Sequence, residues 1–130
     1  MSRIIINLKY ESGELKYSYS ERGPFQPMSP ETTTDVHSGD VVEWVCAPNS
    51  GLNSISISKA PTSPNDIFSV EPHPVTNPDG SQNDKCWVGD TKTSAEAVEI
   101  EKYDITYVPT GQSRIVLDPK LKLEPDGGNA

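Results

Sequence analysis

Apolar and polar residues alternate with a period of two over much of this chain, and that period predicts strands rather than helices. Ile4, Ile6 and Leu8 alternate with Ile5, Asn7 and Lys9, and Leu15, Tyr17 and Tyr19 alternate with Glu14, Lys16, Ser18 and Ser20 across a turn at Gly13. Val41 to Val45 is the most apolar stretch, with Trp44 as its core anchor. In NSISIS, Ile55 and Ile57 face one way while Ser54, Ser56 and Ser58 face the other. Tyr103, Ile105 and Tyr107 alternate against Asp104, Thr106 and Val108, and Thr32 to Val36 and Arg114 to Leu117 add further strands. Ala97, Val98 and Ile100 predict a short strand that ends in a glutamate-lysine turn, and Leu121 and Leu123 predict an edge strand.

Proline and glycine separate these runs. Gly23 to Pro30 carries three prolines and reads as a rigid extended loop pinned by Phe25 and Met28. Ser38, Gly39 and Asp40 form a turn that opens directly into the Val41 strand. Ala60 to about Lys85 holds Pro61, Pro64, Pro72, Pro74 and Pro78 and the pair Asp79-Gly80, which predicts a long proline-rich loop docked by Ile67, Phe68 and Val70. The expected fold is all-β: a two-sheet Greek-key sandwich of about seven to nine strands. Residues 1–123 form its single domain and residues 124–130 a flexible tail.

Charge and composition narrow the partners. Nineteen acidic against eleven basic residues give a formal charge of -8, a field that repels phosphate backbones, so nucleic acid is not an expected partner. No run approaches the roughly eighteen apolar residues that cross a bilayer, and MSRIIINLKY lacks the pattern of a secretory leader. No membrane association and a cytoplasmic location are therefore expected. Two cysteines, Cys46 and Cys86, are too few for a disulfide framework and read as buried thiols.

Four segments taken in order resemble the cupredoxin family: the SGD turn feeding VVEWV at Ser38 to Val45, NSISIS at Asn53 to Ser58, YDITYV at Tyr103 to Val108, and SRIVLDP at Ser113 to Pro119. The resemblance implies a cupredoxin-like sandwich. In that family the strand after such a turn begins near a histidine copper ligand, and the loop between the last two strands supplies cysteine, histidine and often methionine. Here Asn53 stands at the first position, and VPTGQS after Tyr107 contains neither cysteine nor histidine. A copper centre needs thiolate and imidazole donors, so the implied fold comes without copper and no cofactor is expected.

The remaining chemistry is sparse. His37, His73, Cys46 and Cys86 are the candidates for relocated metal ligands, and none of them sits in a C-x-x-C, H-x-H or H-E-x-x-H spacing. A thiolate nucleophile would need one of those cysteines within reach of an imidazole. Carboxylates such as Asp40, Asp66, Asp79, Asp84, Asp90, Glu99 and Glu101 are plentiful but unpaired in the sequence, and NPDGSQND lacks the ligand spacing of a calcium loop. The leading expectation is a non-catalytic, copper-free module that binds a protein partner or itself, by loops at one end or by an edge strand. The alternatives are a metal-binding protein with relocated ligands and a small enzyme of unnamed reaction.

Overall fold

The computed structural model describes residues 2–125, so most of the expected tail, residues 126–130, lies outside the described residues. It contains eleven strands and, among the described residues, no helix. These are β1 (Arg3–Glu11), β2 (Glu14–Ser18), β3 (Gln26–Pro27), β4 (Thr33–His37), β5 (Val41–Cys46), β6 (Leu52–Lys59), β7 (Phe68–Thr76), β8 (Gln82–Thr91), β9 (Glu99–Pro109), β10 (Ile115–Leu117) and β11 (Lys120–Glu124).

One sheet runs β3-β2-β1-β5-β8-β7. In the other, β9 is flanked by β6 on one side, with Ile55 opposite Tyr107, and by β10 and β11 on the other. Leu117 opposite Ile105 and Lys120 opposite Lys102 lie in one unbroken register, so β10 and β11 are a single ribbon interrupted at Asp118-Pro119. β11 then pairs with β4, in parallel. Neighbouring strands are mostly non-consecutive in sequence, and the chain passes repeatedly from one sheet to the other, as a Greek-key sandwich requires. The higher strand count than expected comes from the two-residue β3, the interrupted ribbon, and the strand β7.

The core lies between the sheets and follows the predicted alternation. Ile6, Leu8, Val42 and Trp44 from one sheet meet Ile55, Ile57, Tyr103, Ile105, Leu121 and Leu123 from the other, all buried. Trp44 is its centre: its Nε1 donates to the Tyr103 hydroxyl at 3.2 Å, and its ring lies 5.4 Å from that of Tyr103 and 6.2 Å from that of Phe68. Burying aromatic area while giving the indole N–H a partner is what makes a tryptophan suitable at such a position.

Three expectations are corrected. Residues 60–85 are not a loop throughout, because they contain β7 and the start of β8. Pro72 and Pro74 are tolerated because β7 is an outermost strand paired only with β8, and the pairing shifts register between Val70 and His73 and again between Pro74 and Val75. Residues 99–109 form one eleven-residue strand with no turn at Glu101-Lys102. Glu101 occupies an inward position of that strand and so interrupts the apolar period without interrupting the backbone. Finally, Leu121 and Leu123 belong to an interior strand between β9 and β4, not to an edge.

Candidate functional site

The Ser38-Gly39-Asp40 turn is a structural corner that carries the chain from β4 in one sheet to β5 in the other. Gly39 has φ +89°, a left-handed conformation that other residues rarely adopt. The Asp40 carboxylate is buried and accepts from the backbone N–H of Ser2 and of His37, each at 2.9 Å. The Asp40 carbonyl accepts from the Thr91 hydroxyl at 2.7 Å and the Thr91 N–H at 3.0 Å. A carboxylate that satisfies backbone donors from two other places in the chain is committed to the fold.

The metal and nucleophile candidates do not converge. His37 is exposed beside that corner, and His73 is exposed on β7, with its Nδ1 3.2 Å from the Pro74 carbonyl. Cys46 shares the inward side of β5 with Val42 and Trp44, whereas Cys86 stands opposite Val45 on the outward side, so the two free thiols point to opposite faces of one sheet. The Cys86 thiol donates to Glu43 Oε2 at 3.1 Å; burial, then that carboxylate, push it up to about 12. Burial pushes the Cys46 thiol up to about 11. Both remain protonated near neutrality, the reverse of what a nucleophile or a metal ligand needs. Among the described residues no group of three or more His, Cys, Asp and Glu side chains is placed to hold a metal ion.

Other expected positions have structural employment. Asn53 and Thr110 lie side by side, with the Thr110 hydroxyl 3.4 Å from Asn53 Oδ1. In the turn between β7 and β8, Asp79 Oδ1 accepts from the Ser81 hydroxyl at 2.6 Å and the Ser81 N–H at 2.9 Å. Those bonds hold its carboxyl below the usual range. The oxygen-rich NPDGSQND segment thus closes a hairpin.

Glu101, one of the carboxylates that the sequence offers without a partner, is buried. It is 0% exposed; Oε1 accepts from the Ile67 N–H at 2.8 Å, while Oε2 has no partner. Burial, reinforced by Asp66 and Glu71, raises its pKa to about 7 against the opposing pull of the Ile67 N–H and Lys59. Around it residues 60–67 dock along β9. Asn65 Nδ2 donates to the Ile100 carbonyl at 3.0 Å and the Lys102 N–H to Ser63 Oγ at 3.0 Å.

The accessible feature of most consequence is the seam where the sandwich stays open. On one flank β6 runs close against β8 and β7 of the opposite sheet; no comparable approach joins β1 to β4 on the other. β2 follows β1 only as far as Asn7, opposite Ser18. There Ser18 Oγ donates to the Ser20 carbonyl at 2.8 Å and accepts from the Ser20 N–H at 3.0 Å, a local turn that leads the chain off β1. The Ser2 and Leu8 carbonyls accept from the Val41 and Ala47 N–H groups of the β5 side, at 2.8 and 2.9 Å. Peptide groups alternate in direction along a strand, so Arg3 and Ile5 direct theirs away from β5, where β2 no longer runs. On β4, Thr32 and Ser38 bond to β11, so Thr33 and Asp35 direct their peptide groups away from it.

These two edges face one groove of about 390 Å³, lined by Arg3, Ile4, Ile5, Tyr19, Thr33, Thr34 and Asp35. It continues past Ile5 and Tyr19 into a cleft of about 300 Å³ that adds Asn7, Glu21, Val45, Ala47 and Pro48. Ile5 and Tyr19 are 37% and 51% exposed, unusual for side chains of their size, and the Tyr19 and Thr34 hydroxyls share a hydrogen bond of 2.8 Å across the seam. Burial raises the Tyr19 phenol above its ordinary range. Arg3 is engaged by Glu43, 2.6 Å away. Neither Asp35 nor Glu21 takes part in an ion pair among the described residues.

The fold and this groove define an all-β, two-sheet sandwich with one open seam. No family model matches the chain, and no curated protein matches it. Among solved structures it is similar to the cysteine protease inhibitor EhICP2 from Entamoeba histolytica, with 11% identity over 95% of this chain and 96% of that one and a TM-score of 0.40. A likeness at that level carries no conclusion for this chain.

Proposed function

We propose that this protein is a non-catalytic, copper-free, cupredoxin-like module that binds an extended segment of a partner protein, added as a strand along the seam between β1 and β4. One observation carries the reading: two strand edges, at Arg3 and Ile5 and at Thr33 and Asp35, direct peptide groups toward the same groove. Backbone N–H and C=O groups at a strand edge are a template for another strand, and main-chain bonds supply affinity without any catalytic constellation. The groove also offers Ile4, Ile5 and Tyr19 for alternate side chains.

A free segment fits this seam better than the edge of a second folded copy. The outermost strand β7 carries Pro72 and Pro74, and β3 offers two residues. Antiparallel pairing of β4 with itself about Asp35 would oppose like charges. Two free thiols on opposite faces of a sheet suit a reducing, cytoplasmic setting.

The test is amide exchange combined with peptide selection. In the free protein the Arg3, Ile5, Thr33 and Asp35 amides exchange quickly while those of Ile6 and Val42 are protected. Peptides selected from a random display library then protect the first four. Slow exchange of those amides in the free protein, or selected peptides that protect other amides, would overturn the proposal.

A further inference from the structure

We infer that the segment taken by the seam is an alternating apolar-basic strand, its lysines or arginines facing Asp35 and Glu21 and its apolar side chains facing Ile4 and Tyr19. This rests on the seam accepting a strand, and it adds the chemistry of the occupant. The two sides of the groove differ in a way that imposes a period of two. Ile4 and Thr34 lie on the inward sides of β1 and β4, and Tyr19 reaches Thr34 there, so every second residue of an inserted strand meets a partly apolar pocket. Asp35 lies on the outward, exposed side of β4, so the intervening residues meet a carboxylate.

The balance of charge at the groove sets the sign. Arg3 is its only cationic lining residue and is engaged by Glu43 at 2.6 Å, whereas Asp35, in register with Lys122 of β11, and Glu21 form no ion pair among the described residues. The whole chain carries a formal charge of -8. An acidic segment would approach against both the local and the global field, while a basic one is steered inward. Serine-rich or other neutral strands satisfy the backbone edges equally well but leave both carboxylates unmatched.

The experiment uses the full chain and three synthetic seven-residue peptides. One alternates lysine with valine, the second replaces each lysine by glutamate, and the third is the lysine peptide with alternate backbone amides N-methylated. Binding is followed by NMR at the Arg3, Ile5, Thr33 and Asp35 amides. The lysine peptide is expected to bind about tenfold more tightly than the glutamate peptide in low salt, the preference shrinking to about twofold at high salt as screening takes over. The double substitution Asp35→Asn and Glu21→Gln, both at exposed positions, removes most of the preference and leaves only the part imposed by the rest of the acidic surface. N-methylation of the edge-facing amides abolishes binding.

Equal binding of the lysine and glutamate peptides, with N-methylation still abolishing it, overturns the charge assignment and leaves the strand-accepting seam standing. A lysine preference that survives the double substitution undiminished does the same. Binding insensitive to N-methylation, or no shift at any of the four amides at millimolar peptide, overturns the strand-accepting reading itself.

Discussion

Replacing Glu101 by glutamine should make the protein more stable at pH 8 and leave it unchanged at pH 4. The carboxyl is fully buried, its Oε1 holds the Ile67 N–H, and its Oε2 has no partner. Its pKa is raised from 4.5 to about 7, chiefly by burial and then by Asp66 and Glu71, with Lys59 opposing. A group whose pKa is raised by folding favours the folded state while it is protonated in both states. That contribution is complete below 4.5, declines as the unfolded chain ionises, and is lost once pH rises through 7. At 1.36 kcal/mol per pH unit, the interval corresponds to about 3 kcal/mol between pH 4 and pH 8.

Glutamine keeps the oxygen that accepts from Ile67 and cannot ionise, so Glu101→Gln removes this dependence. Urea unfolding at unit pH steps from 4 to 8, followed by the fluorescence of Trp44 and Trp87, measures it as a difference between the two proteins. Other carboxyls titrate in both and largely cancel in that difference. The expected outcome is a stability difference near zero at pH 4 that grows to about 3 kcal/mol in favour of the variant at pH 8. A constant difference across the range, or a variant less stable at pH 8, would refute the reasoning and show that Oε2 finds a partner that stabilises its charge.

Three further outcomes follow from the corner and the thiols. Asp40→Ala removes the acceptor of the Ser2 and His37 N–H groups from a buried turn and should cost about 2–4 kcal/mol, read as a lower urea midpoint with an unchanged slope. In air-oxidised protein Cys46 and Cys86 should remain unbridged, because their side chains lie on opposite faces of the sheet. Their alkylation by iodoacetamide at neutral pH should be more than about tenfold slower than that of a free cysteine, since the thiols are held protonated. An intramolecular bridge detected by mass spectrometry would contradict that placement.

The strands that share one simple rule were legible in the sequence. β6 and the Tyr103-to-Val108 part of β9 announce themselves by strict alternation, because each has one buried and one wetter face, and β1 and β2 by a looser one in which Asn7 and Ser18 are buried on the second face as well. What escaped were strands in which a residue breaks its local rule and is supported from a distance. Glu101 looks like surface until the Ile67 N–H, thirty-four residues away in sequence, is seen to hold it. Pro72 and Pro74 argue against a strand until β7 is placed outermost, where one side needs no donors. The corner at Asp40 reads as a turn, but its bonds to Ser2 and Thr91 are tertiary and leave no local sign.

The candidate site was the least legible part because it is made by the ending of a pairing. Two serines with unremarkable spacing, Ser18 and Ser20, turn the chain off β1 and leave Arg3 and Ile5 without a neighbour on that side. Thr33 and Asp35 lie on the free side of β4 because β11 comes from the far end of the chain and takes the other side. Neither edge is a site alone, since a strand edge beside solvent is ordinary and water satisfies it. Their meeting across one groove, with an exposed isoleucine and tyrosine at its lip, is what turns the end of an internal ladder into a place for an external one.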